Sequence, residues 1–157
     1  MRLALAAFVG ALAAAPCAAD EWRLASVQEI LASWGDDMGS SATNQVVADF
    51  DGNNVPDAAR VLRSESTGRL ELFVALNEGT PHYRLLRLNE MDGLGIQLKQ
   101  PGTYQTLCGK GYECPEGGLH TMTLSHAAVE VFKPGSASWV IYWDSETQTF
   151  KEFGTSD

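Results

Sequence analysis

The chain has 157 residues, 45% of them hydrophobic and 20% charged, with 11 basic against 20 acidic side chains and a formal net charge of −9. That length suits one domain with a real core. The acidic balance argues against nucleic acid or an anionic lipid surface as partner, and for a basic protein, a cell-envelope ligand or a metal cation.

Residues 1–19 have the three parts of a secretory signal. Met1-Arg2 is positive, Leu3 to Ala15 is apolar, and Cys17-Ala18-Ala19 supplies small residues before Asp20. The apolar run falls short of the roughly 20 residues a spanning helix needs. The expected product is residues 20–157, periplasmic or secreted, with no membrane span after cleavage. Loss of Arg2 makes it one charge more acidic. Lipidation at Cys17 is the alternative, disfavoured by Pro16 before it and by the lack of a leucine three residues earlier.

One helix is signalled next. Ser26-Val27-Gln28-Glu29 is a capping box. Val27, Ile30, Leu31 and Trp34 follow at helical spacing, and Gly35 is a stop signal. Strands dominate thereafter: Gln45 to Phe50, Ala58 to Arg63, Arg69 to Leu76 and His82 to Leu88. Leu70, Leu72, Val74 and Leu76 alternate onto one face. Shorter strands are expected at Gly95 to Leu98, Gly102 to Leu107, His120 to Leu124, Ala127 to Phe132, Ser138 to Trp143 and Thr149 to Phe153. Many short strands without long intervening helices predict a mainly β (α+β) domain, a twisted antiparallel sheet with one packed N-terminal helix. Beyond the signal two cysteines remain, Cys108 and Cys114. In an exported chain such a close pair reads as a disulfide.

The segment Asp49-Phe50-Asp51-Gly52-Asn53-Asn54-Val55-Pro56-Asp57 carries the clearest chemistry. Carboxylates stand at its first, third and ninth positions and an amide at its fifth. With the carbonyl of Val55 at the seventh, this loop can wrap a hard cation that takes six to eight oxygen ligands. Gly52 and Asn54 tolerate the left-handed turns that wrapping requires. The expected ion is one Ca2+, held by Asp49, Asp51, Asn53, Val55 and Asp57. Magnesium demands tighter octahedral geometry and fits less well.

From Val47 to Asp57 the chain resembles the calcium loops of FG-GAP and VCBS-type repeats, known from integrin α-chain propellers. Those loops run D-x-D-x-D-G-x-x-D between two strands. The resemblance implies the same five ligands and departs at Asn53, where Asp is usual, and Asn54, where Gly is usual. The chain holds one such unit, so a propeller is excluded. The segment from His126 to Asp157 resembles the tail of small exported bacterial proteins with a single unit of this kind. The resemblance implies architecture and calcium, not a reaction.

Other constellations read more plainly. His82, His120 and His126 lack zinc-site spacing. Ser125-His126 has no nucleophile elbow around it. Glu113, Glu116, Asp144 and Glu146 read as turn carboxylates rather than a catalytic pair. Trp139, Ile141 and Trp143 share one strand face, and Val140 and Tyr142 the other. Lys110 and Tyr112, in the loop closed by the two cysteines, are the candidate recognition residues. The function expected is therefore non-catalytic surface recognition by a calcium-stabilised domain. An inhibitor or immunity protein for a periplasmic enzyme, or a small hydrolase, are the alternatives.

Overall fold

The computed structural model describes residues 21–35, 42–111, 114 and 118–155. The expected signal segment, Cys17, Tyr112, Glu113 and Glu116 lie outside the described residues.

The helix forms as its signals predict. Strand β1 (Trp22–Leu24) leads into α1 (Val27–Trp34). The Ser26 hydroxyl accepts from the Glu29 backbone N–H, and the Glu29 carboxylate accepts from the Ser26 N–H at 2.8 Å. Ile30 is fully buried and Trp34 packs against the same core. The Trp34 indole N–H donates to the Leu94 carbonyl, which ties the helix end to the loop before Gly95.

The strands form two antiparallel sheets and a hairpin. The first sheet contains β1, β2 (Gln45–Ala48), β3 (Asp57–Ser64), β4 (Leu70–Leu76) and β5 (Arg84–Leu88). Its order is β1-β3-β4-β5, with β2 also paired to β3. The second runs β11-β10-β9-β6, built from β6 (Gly95–Lys99), β9 (Ala128–Phe132), β10 (Ser138–Asp144) and β11 (Thr149–Gly154). Strands β7 (Gly102–Gln105) and β8 (Thr121–Leu124) pair with each other.

Alternation then decides the layers. Ala59, Val61, Leu70, Leu72, Val74 and Leu76 face inward from the first sheet. Ile96, Val129, Val131 and Ile141 meet them from the second, with Trp139 and Trp143 packed alongside. The opposite face of the second sheet buries Ala128, Val140 and Phe153 with Leu124 of β8, and Tyr104, Met122 and Tyr142 pack on that cluster. The expected division of Trp139, Ile141 and Trp143 from Val140 and Tyr142 is the division between these two clusters. The fold is the mainly β domain with one helix that the strand pattern predicts, and it is not a propeller.

A disulfide joins Cys108 to Cys114, with Cα atoms 5.2 Å apart. Residues Cys108–Lys110 form a single 3-10 turn that the strand-by-strand reading did not anticipate. Among the described residues no helix is long and apolar enough to cross a membrane.

Candidate metal centre

The acidic segment is the loop of the β2–β3 hairpin. Ala48 pairs with Asp57, so the loop opens where the ladder ends and Asp57 is the first residue of β3. Gly52 and Asn54 take φ of 82° and 64°, the left-handed turns expected of them. These turns fold the chain back until side-chain oxygens of Asp49, Asp51 and Asp57 all lie within 4.8 Å of one another.

Each carboxylate is held by the backbone around it. Asp49 Oδ1 accepts from the N–H groups of Gly52 (2.7 Å) and Asn53 (3.1 Å), and its Oδ2 from that of Asn54 (2.8 Å). Asp57 is 2% exposed. Its Oδ2 accepts from the Phe50 N–H at 2.8 Å and its Oδ1 from the Asn77 N–H at 2.9 Å. Asp51 Oδ1 accepts from the Asn53 N–H at 3.1 Å.

The electrostatics are one-sided. Burial raises the Asp57 carboxyl above its ordinary range, and the nearby Asp51 charge adds to the rise. The bonds from Asn77 and Phe50 offset part of it. Among the described residues, no ion pair reaches Asp49, Asp51 or Asp57. Among the described residues three carboxylates converge with no cationic side chain in ion-pair reach, although Arg84 shares a hollow with Asp51. This is a donor set suited to a metal ion.

The other two expected ligands are arranged differently. The Asn53 amide oxygen accepts from the Val55 N–H at 2.6 Å, and its Nδ2 donates to Asp51 Oδ2 at 3.1 Å. The Asn53 amide therefore turns its nitrogen toward the carboxylates. Val55 uses its N–H in that contact, and its side chain is exposed.

Two residues outside the nine complete the site. Asn77, just beyond β4, donates from its backbone to Asp57 and from its Nδ2 to Asp51 Oδ2 at 2.8 Å. It also accepts from the Asn53 amide and holds a left-handed φ of 55°. The register of β3 with β4 brings it there, across twenty residues of sequence from Asp57. The His126 imidazole lies against Gly52 so closely that a Cβ at that position would collide with it. Asn77 to Pro81 reads in sequence as a break between strands, which marks the first only as a turn residue, and the sequence carries no signal for the second.

The remaining candidates are dispersed. Ser125 and His126 line a cleft of about 270 Å³ with Phe50, Trp143, Asp144 and Glu146. Asp144 of that cleft pairs with Lys151, which holds its carboxyl down at about 2. His82 lines a separate hollow of about 300 Å³ beside Asp51, Asn53 and Asn77. The Lys110 ammonium donates to the Thr155 carbonyl at 2.8 Å, so this candidate recognition residue is tied to the last strand's end.

Fold and site define a small, mainly β domain with a carboxylate-lined hairpin loop. No protein-family model matches the chain, and neither the curated proteins nor the solved structures provide a match.

Proposed function

We propose that the chain is an exported, non-catalytic domain whose β2–β3 loop binds one calcium ion and whose surface recognises another molecule. The observation that carries the metal reading is the convergence of Asp49, Asp51 and Asp57 within 4.8 Å, with no cationic side chain in ion-pair reach among the described residues. The donors are hard oxygens, which favours calcium or magnesium over softer metals. The irregular, turn-rich loop favours the ion that accepts flexible geometry. Asp49, Asp51 and Asp57, the Val55 carbonyl and, on rotation of its amide, Asn53 are the proposed ligands, in keeping with the FG-GAP and VCBS-type resemblance. Bound there, the ion supplies charge neutralisation at the mouth of the hairpin.

A structural role is supported by what the same side chains already do. Asp57 ties the loop to the end of β4 through Asn77, and Asp49 gathers three successive backbone N–H groups. The ion would brace a junction on which β2, β3 and β4 all depend. Export is supported by the N-terminal pattern of residues 1–19 and is in keeping with the Cys108–Cys114 bridge.

Titration calorimetry tests the metal reading. Calcium should bind with one-to-one stoichiometry, magnesium should compete poorly, and Asp51→Ala should abolish the heat. No heat with calcium at millimolar concentration would return the loop to a polar hairpin turn.

A further inference from the structure

An arginine stands where the sheet pattern calls for an apolar residue. On β5, Arg84 pairs with Leu76, and Leu86 and Leu88 follow it at period two. Leu76 is fully buried, and Leu86 and Leu88 pack against the same core. Arg84 therefore takes the first inward position of its strand. On β10, Trp143 follows Trp139 and Ile141 along the inward face and stands near the strand's end. Arg84 and Trp143 line one hollow of about 300 Å³, with Asp51 on its metal-loop side and His82 and Gln148 beside them.

Arg84 is also set apart by its charge. Arg23, Arg60, Arg63, Arg69 and Arg87 each meet a carboxylate. Among the described residues Arg84 meets none in ion-pair reach, and its Nη1 donates to the Tyr83 carbonyl at 3.0 Å. That is a cation without an acidic partner in a chain of net −9. Gln148 adds a second irregularity. It precedes the Thr149 that closes the β10–β11 hairpin and holds φ of 52°, a conformation that Gly or Asn adopts at less cost. Its side chain borders the hollow, which gives a reason for a long amide at that turn. Local rules broken at adjoining positions are what a binding site produces.

We propose that this hollow binds an acidic sugar, a hexuronic acid unit whose carboxylate pairs with Arg84. The planar guanidinium fork matches a carboxylate through two parallel hydrogen bonds. The half-buried Trp143 indole offers aromatic surface to the apolar C–H side of a pyranose ring. The Gln148 amide supplies a donor and an acceptor for hydroxyl groups. The volume lies at the lower end of the range for small-molecule sites, which suits one ring. Asp51 opposes an anion, because its own charge borders the hollow. The inference therefore rests on the calcium reading in one respect. A cation in the β2–β3 loop offsets Asp51 and strengthens sugar binding, and by linkage the sugar strengthens calcium binding by the same factor.

NMR titration of the chain with methyl glucuronide, in calcium and in chelator, tests this. The expected result in calcium is a saturable shift of the Trp143 indole N–H and Arg84 Nε–H resonances, with a dissociation constant of about 1 mM. Methyl glucoside, the neutral counterpart, and inorganic phosphate should each bind about tenfold more weakly or worse, and the glucuronide should weaken in chelator. Arg84→Gln should lose about tenfold or more in affinity at an unchanged Tm, the loss of one charged hydrogen-bonded pair. Gln148→Gly should raise Tm, by relieving the left-handed turn, and weaken the glucuronide. Absence of saturation would overturn the proposal. So would binding that Arg84→Gln leaves unchanged, or phosphate binding as tightly as the glucuronide. Calcium calorimetry without sugar separates the two readings. Calcium heat with no glucuronide binding would overturn the sugar site and leave the metal, whereas glucuronide binding with no calcium heat would overturn the metal and the coupling and leave the sugar site.

Discussion

At position 53 an amide stands among carboxylates, and it has a consequence for any cation held there. Its nitrogen donates to Asp51 and its oxygen accepts from Val55, so Asn53 quiets the loop without an ion. Asn53→Asp removes that donor and adds a fourth negative charge. The variant should melt lower than the parent in chelator yet bind calcium more tightly, by about tenfold for one added ligand charge worth ~1.4 kcal/mol. Calorimetry paired with melting in chelator reads both effects. A variant that is more stable without calcium would contradict the charge argument. Glu130 poses a different single-residue question. It is 6% exposed on β9 and accepts from Lys99 Nζ at 3.0 Å, Gln97 Nε2 at 2.9 Å and Thr155 Oγ1 at 3.2 Å. Burial pushes its carboxyl up, but the Lys99 and Gln97 contacts outweigh that and hold it below the ordinary glutamate range. Its ionised form therefore adds stability above the unfolded-state value, and this is lost as pH falls through the lower folded-state value. Glu130→Gln should cost about 1–3 kcal/mol at neutral pH, the scale of a charged hydrogen bond. It should also flatten the acid limb of the stability curve measured by urea unfolding at several pH values.

Among the elements, the helix was the most legible, because every signal it needs is local: Ser26 and Glu29 cap it, and Ile30 and Trp34 bury its stripe. Strand β1 was not legible. Trp22–Leu24 is three residues long and has no alternation of its own to read. It exists because its residues pair with Leu62 to Ser64 of β3, a partner set only by the fold. The acidic loop was legible as a motif, but its support from Asn77 and His126 was not, since both arrive by tertiary packing. That support gives the hairpin a testable weak point. Gly52 has φ of 82°, which costs an alanine about 1–2 kcal/mol. A Cβ there would also meet His126. Gly52→Ala should destabilise the fold by about 2 kcal/mol or more, the conformational cost plus the displacement of a neighbouring ring. Pairing it with His126→Ala should recover the steric share but not the conformational one, so the double-mutant cycle should be non-additive. Additive effects in urea titrations would place His126 away from Gly52 in solution.

At the scale of the molecule, alternation in β4 and β10 told which residues share a face, but not which sheet would cover which. Glu71 and Ala75 alternate with the inward set of β4 and are nevertheless buried too, which period-two reading alone leaves unassigned. The same topology decides how far the proposed calcium should reach. Strand β3 pairs with β1, β2 and β4, more partners than any other strand of its sheet. Asp57 begins that strand and is bonded to Asn77, just beyond β4. The loop therefore cannot open without loosening the centre of the sheet, and binding energy at the loop should appear in global unfolding rather than in local fraying. A ligand that binds only the folded state stabilises it by RT ln(1 + [L]/Kd), about 2.7 kcal/mol at a hundredfold excess over Kd. For a domain near this size that raises Tm by roughly 5–11 °C, at ~2–4 °C per kcal/mol. Melting in calcium against chelator should show one cooperative transition displaced by that amount. Amide exchange should slow in β3 and β4 as well as in the loop. A shift confined to loop amides, with Tm unchanged, would show that the hairpin mouth opens independently of the sheet.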